Sequence, residues 1–381
     1  MNGYMSQEFL DLLSGMVERI TDVQRQLLTL ASAPNAQKSL APFGIEKVAK
    51  MVGKAPNTIR NLEAKGIINP PRAENEGPVR RRLYDLGLVS KIREALNVPQ
   101  GRPNGANPVI TVFSNLKGGV GKTTTAVHFA QYACREGNRV LFVDLDPQAS
   151  ATTIFGYIPD LDIPSDGTIL EALEEEKGAV RKIIRKTYWH GLDLIPANLE
   201  LQNAEYILPG QQQFQHRLRH ALDLVKNDYD VIVVDVPPAL GSLAINAILS
   251  ADLLICPITP YMLDVASSVH YLTILKWLVE KNPTPIRLFR LLITKHDGTE
   301  ESNNIVGVLR QVYGPVVMNA HMITTKEIQK ASTDMLTVYE QSRPRGSAET
   351  YARAIMHFDD VNREIMQGVQ SIWAADAEQS E

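Results

Sequence analysis

At 381 residues, with 44% hydrophobic and 22% charged positions, the chain exceeds one ordinary domain and has the balance of a globular protein of two or three units. A formal net charge of −4 and a pI of about 6.1 exclude, on the chain average, a protein that coats nucleic acid through bulk charge. No apolar run reaches membrane-spanning length, and residues 1–8 lack the basic flank and apolar centre of a signal peptide. Two cysteines, Cys134 and Cys256, give neither a disulfide framework nor metal-ligand spacing, so a cytoplasmic protein is expected.

The first predicted element is a helix over 1–33. Phe9, Leu13, Met16, Ile20, Val23, Leu27 and Leu30 alternate spacings of four and three, a heptad seam that stops before Pro34. With no earlier element to pack on, the seam is expected to make a homodimer contact.

Residues 40–97 reverse the charge balance. From Phe43 to Ala95 eleven Lys and Arg stand against six acids, a net +5 inside an acidic chain, which is the asymmetry of a DNA-binding module. Ile45–Val52 has one apolar helical face and ends at Gly53. Pro56 opens a second helix that buries Ile59 and Leu62 and presents Asn57, Thr58, Arg60 and Asn61, side chains suited to base edges and phosphates. A polar loop then leads to Arg80-Arg81-Arg82-Leu83-Tyr84. With Val48-Ala49, Thr58-Ile59-Arg60, Glu63, Lys65-Gly66 and Arg82-x-Tyr84 so placed, the segment resembles the winged helix-turn-helix of the MerR family. That resemblance implies a second helix in a major groove, with Arg81 and Arg82 of the wing on the DNA backbone. The Gly-, Pro- and Asn-rich stretch 98–108 reads as a linker.

From 109 to 381 short apolar strands alternate with helical patterns, which predicts an α/β domain on a parallel sheet. Val109–Phe113 is a buried strand, and Ala126, Phe129, Ala130 and Ala133 mark a helix that stops at Gly137. Between them lies Ser114-Asn115-Leu116-Lys117-Gly118-Gly119-Val120-Gly121-Lys122-Thr123-Thr124-Thr125. A glycine-rich turn that opens a helix lets backbone N–H groups close on a phosphate, with Lys122 neutralising charge and Thr123 placed to ligate magnesium. Leu116 stands where the standard phosphate-loop pattern has its first glycine, and a second lysine, Lys117, precedes the glycines.

This loop resembles the deviant Walker A box of the ParA/MinD class of P-loop ATPases. The resemblance implies that Gly118, Gly119, Val120, Gly121, Lys122, Thr123 and Thr124 hold ATP or ADP. It also implies that Lys117 reaches the phosphates bound by the other subunit of a dimer, which couples hydrolysis to dimerisation. A strand over Arg139–Asp144 ends in Asp144-Leu145-Asp146, which resembles the Walker A′ box: Asp146 positions the attacking water and Asp144 supports the Mg2+ shell. A strand over Tyr229–Asp235 resembles Walker B, with Asp235 on the metal. Further strands exit at Thr259-Pro260 and Thr294-Lys295, where the class seats the base.

Towards the C-terminus Lys326, Lys330, Arg343, Arg345 and Arg353 stand among four acids, a net +1 that by count alone is a solvated face. By resemblance to plasmid partition ATPases, Lys330, Arg343 and Arg345 fall where nonspecific DNA is held. The tail from Trp373 is acidic, unlike the basic amphipathic anchor of the MinD branch, so no membrane partner is expected. Together the features resemble a ParA ATPase of the larger plasmid-partition type. The implied activity is ATP-driven DNA segregation: an ATP-bound dimer on nonspecific DNA, a centromere-bound ParB-type partner that triggers hydrolysis, and an apo or ADP form that represses its own operon. The open alternative is a repressor that uses ATP only as a regulator. A cofactor-assembly ATPase of the same fold would need paired cysteine ligands, and a division-site regulator would need the anchor.

Overall fold

The structure is a computed structural model that describes residues 14–23, 25–26, 38–69, 71–76, 79–174, 179–341 and 346–380. Residues 14–23 are helical, and Met16, Ile20 and Val23 of the heptad seam are exposed along them. Phe9, Leu13, Leu27 and Leu30 lie outside the described residues.

The N-terminal unit begins with β1 (Phe43–Gly44) and α1 (Ile45–Val52). That helix ends where Gly53 enters the left-handed region at φ 64°, with its N–H turned back to the carbonyls of Ala49 and Lys50. Helix α2 (Pro56–Ala64) starts on Pro56, whose fixed φ and missing N–H suit a first turn. Strands β2 (Arg72–Glu76) and β3 (Val79–Tyr84) then form an antiparallel hairpin, and β1 pairs on the outer side of β3. Helix α3 (Leu86–Ala95) closes the unit, capped by Asp85, whose Oδ1 accepts from Leu88 N–H at 2.7 Å.

The larger unit is a seven-stranded sheet. Its strands are β4 (Val109–Phe113), β5 (Val140–Asp144), β6 (Arg185–Lys186), β7 (Leu192–Ile195), β8 (Val231–Asp235), β9 (Leu253–Ile258) and β10 (Leu288–Ile293), in the order β10-β9-β4-β8-β5-β7-β6. All neighbours are parallel except β6, which runs antiparallel to β7. The runs VITVF, VLFVD and VIVVD are buried throughout, because each strand packs on both faces. Val109, Phe113, Val140, Phe142, Val231 and Val233 face one layer, which includes α4 (Lys122–Arg135) and the long α5 (Ala348–Ser380). Ile110, Val112, Leu141, Val143, Ile232 and Val234 face the opposite layer. Ile372 and Trp373 of α5 pack into the first layer. Among the described residues no helix is long and apolar enough to cross a membrane.

The two units share one apolar cluster. At the seam, Arg93 of α3 donates to the carbonyls of Met51 at 2.5 Å and Arg135 at 2.8 Å. Gly137, at φ 93°, leaves room for it, since a Cβ there would sit 2.8 Å from Arg93 Nη1. The segment 98–108, expected as a linker, is pinned: Arg102 reaches Asp230 at 3.8 Å, and Asn107 N–H donates to Asp376 Oδ2 at 3.2 Å. Carboxylates and aromatic N–H groups fix it, with Trp373 Nε1 donating to Asn107 O at 3.1 Å. Composition could not show those partners.

Candidate nucleotide site

The carboxyl ends of β4, β5, β8 and β10 converge on the loop between β4 and α4, the crevice where parallel sheets place ligands. Gly119 and Gly121 have φ of 72° and 88°, so the backbone turns there as no side-chain-bearing residue readily would. Asn115 fixes the entry to the loop: its Oδ1 accepts from Lys117 N–H at 2.9 Å, and its Nδ2 donates to Pro257 O at 2.7 Å. Thr294, expected near the base, donates its hydroxyl to Val120 O at 2.7 Å. Its side chain therefore braces the phosphate loop. Lys295 follows it, exposed and at φ 53°.

Lys122 is buried and donates to Lys117 O at 3.0 Å. Burial lowers its pKa, against the opposing pull of Asp235 and Asp146. Lys117, exposed on the same loop, pairs with Asp264, a buried carboxylate at the start of the helix Met262–Lys281. Thr259 also donates its hydroxyl to Asp264. Nothing in the sequence near Asp264 signals that contact.

The two acids of the second box have different surroundings. Asp144 is fully buried: its Oδ2 accepts from Thr152 N–H at 2.9 Å and Thr152 Oγ1 at 2.8 Å, and its Oδ1 accepts from Asp146 N–H at 3.2 Å. Burial pushes its pKa up to about 6, although those donors favour the charged form. Asp144 thus anchors the segment that carries Asp146, and its oxygens are largely occupied. Asp146 is half-buried and turns Oδ1 back to Gln148 N–H at 3.0 Å.

Asp235 is fully buried, and neither carboxylate oxygen has a hydrogen-bond partner of good geometry. Burial first, then the neighbouring Asp144, pushes its pKa well above the carboxylate range, and the nearby Thr123 hydroxyl and Lys122 ammonium only partly offset this. An orphaned buried carboxylate beside a hydroxyl is a donor set that suits a hard divalent cation. Thr123 and Asp235 fit magnesium directly; Asp144 fits one step behind them.

The residues expected on DNA do not share this site. Asn57, Arg60 and Asn61 are exposed on α2 and Thr58 is half-exposed. Arg60 Nη1 donates to Asn57 Oδ1 at 2.7 Å, so these two are pre-arranged as a pair. Arg82 is exposed but ion-paired with Glu63, which also accepts from Tyr84 Oη. That contact ties the hairpin to α2. Arg81 lies on the same hairpin strand. Lys330, on the helix Lys326–Thr333, donates to the buried Glu327 at 2.5 Å. Arg343 and Arg345 lie outside the described residues. Cys134 and Cys256 are both buried, and burial raises the Cys256 thiol to about 12, so neither is an exposed ligand.

A family model described as an AAA domain matches residues 108–282. Protein SopA of Escherichia coli (strain K12) is 32% identical over 349 residues, covering 87% of this chain and 89% of that one. A solved structure described as a partition protein superposes with a TM-score of 0.66 at 22% identity, covering 94% of this chain and 98% of that one. The structure of cobyrinic acid a,c-diamide synthase from Mycobacterium smegmatis with bound ADP and magnesium is 29% identical with a TM-score of 0.53, covering 61% of this chain and 91% of that one.

Proposed function

The chain belongs to the ParA and SopA family of partition ATPases, and on that premise we propose that it is a Mg-dependent ATPase that segregates DNA. One observation carries the reading. A single loop holds one buried and one outward-facing lysine above a buried, unpartnered Asp235. In this account the N–H groups of Gly118 to Thr124 and the N-terminus of α4 bind the phosphates of ATP, and Lys122 neutralises them. Thr123 and Asp235 hold magnesium, which supplies charge neutralisation across the phosphates. Asp146 accepts a hydrogen bond from the attacking water and orients it, held in place by the Asp144–Thr152 anchor. Lys117 completes the site of a second copy, so turnover requires a homodimer.

The DNA contacts divide by role. Asn57, Thr58, Arg60 and Asn61 on α2, with Arg81 and Arg82 on a wing, form a winged helix-turn-helix that reads an operator. Lys330, Arg343 and Arg345 hold nonspecific DNA in the ATP-bound dimer, placing the protein on the nucleoid. A ParB-type partner triggers hydrolysis and release, and the apo or ADP form represses its own operon. Lys122→Ala should abolish ATP binding, and Asp146→Ala should bind ATP yet release no phosphate. A Lys122→Ala protein that hydrolyses ATP at the wild-type rate would place the site elsewhere.

The docking of α3 on the end of the phosphate-loop helix through Arg93 favours a second reading, an ATP-regulated repressor without a segregation role. In that case Asp146→Ala represses as the wild type does and random-sequence DNA is not bound with ATP.

A further inference from the structure

Lys38 lies just before the N-terminal unit, in a stretch with no motif. Its ammonium is nonetheless buried in the ATPase unit, at 2.6 Å from Ile154 O, 2.6 Å from Met335 O and 3.0 Å from Glu340 Oε1, and 4.7 Å from the centre of the Tyr188 ring. The side chains of Lys38 and Glu340 are 4% and 2% exposed. Burying a lysine so completely is unfavourable unless its donors are satisfied, and here two backbone carbonyls and a carboxylate, from two separate segments, meet it. Gly156, at φ 93°, admits the strap: a Cβ there would lie 3.2 Å from Lys38 Cβ.

The segments joined are functional ones. Ile154 ends the short helix Ser150–Ile154, the continuation of the turn that carries Asp146 and the helix whose Thr152 holds Asp144. Met335 and Glu340 belong to the segment after the Lys330 helix, and that segment is also fastened to the phosphate-loop helix by Thr337 Oγ1 donating to Gln131 at 2.7 Å. We propose that Lys38 is a positioning residue for hydrolysis: it ties the segment that carries Asp146 to the C-terminal segment that follows Lys330, so that displacement of one is transmitted to the other. The inference rests on the assignment of Asp146 as the residue that orients water.

The test uses the full chain and the neutral pair Lys38→Met with Glu340→Gln, which removes the charge without leaving a buried carboxylate alone; Lys38→Met is run beside it. Steady-state ATP turnover and amide hydrogen exchange over 149–156 are measured on wild type and variants. The expected result is a KM within about twofold of wild type, because the phosphate loop is untouched, with kcat lower by roughly tenfold to a hundredfold as Asp146 loses its placement. Exchange over 149–156 should rise while exchange over 114–125 stays level. A neutral pair with wild-type kcat and wild-type exchange would overturn the proposal, leaving Lys38 a packing residue. The exchange arm does not depend on turnover, so a wild type without ATPase activity would sink the functional reading while exchange still decides the role of Lys38.

Discussion

Lys117 and Lys122 sit five residues apart on one loop in opposite surroundings. Lys122 is enclosed, donates to the Lys117 carbonyl and feels the charges of Asp235 and Asp146, whereas Lys117 is exposed and is restrained by Asp264 of its own chain. If Lys117 acts on a second copy, that ion pair must open first. Asp264→Asn keeps an acceptor for the Thr259 hydroxyl and weakens the hold on Lys117. The ATP-dependent dimer should then form at a severalfold lower protein concentration by sedimentation velocity; an unchanged dimerisation curve would mean the pair is no restraint. His128 supports a second prediction. Its Nδ1 donates to Thr124 O at 2.7 Å and its Nε2 accepts from Val338 N–H at 3.2 Å, so the buried ring is neutral, and burial holds its pKa down to about 4. The unfolded imidazole titrates near 6.5, so between those values the unfolded chain binds a proton that the fold refuses. The stabilisation is fully present above about pH 6.5 and is lost as pH falls towards 4, by up to about 3 kcal/mol. Asp144, raised to about 6, acts in the opposite sense over the same range. The difference between wild type and His128→Gln isolates the histidine: the variant's thermal midpoint should fall less steeply on acidification.

At the scale of elements, α2 and the hairpin are locked by Glu63, which takes both Arg82 and Tyr84. Arg60 is not so held: among the described residues its guanidinium donates only to Asn57, one turn earlier on the same helix. Arg60→Ala should weaken operator binding by about 1–3 kcal/mol while leaving random-sequence binding unchanged; equal losses on both DNAs would move the operator contact away from α2. The strands β4, β5 and β8 were legible because a strand buried on both faces must be apolar at every position. The helix ends at Gly53 and near Gly137 were legible because each glycine takes a left-handed φ. Strands β6 and β7 were not read, because RK and LDLI are short and chemically mixed at the sheet margin. Asp264, Thr152 and Lys38 were invisible for another reason. Each matters through one long-range partner, and nothing in its immediate neighbours encodes that partner.

At the scale of the whole molecule, the N-terminal unit and the ATPase unit are packed through a common apolar cluster, with α4 running from the phosphate loop to the Arg93 contact. A nucleotide-dependent shift at one end of that helix has a rigid route to the other. Met16, Ile20 and Val23 are exposed along the first helix, and under the proposed reading this face joins two chains without nucleotide. The two joints make separate predictions: removal of residues 1–33 should dissolve an apo dimer seen by sedimentation and spare an ATP-induced one. In the proposed cycle ATP, bound at this site, converts the protein into a DNA-coating dimer. The most direct test is fluorescence anisotropy of labelled random-sequence duplex DNA with Mg-ATP, Mg-ADP or no nucleotide, for wild type and Lys330→Ala. The account predicts binding that appears only with ATP and weakens in the variant. Equal binding in all three nucleotide states, indifferent to Lys330, would contradict it.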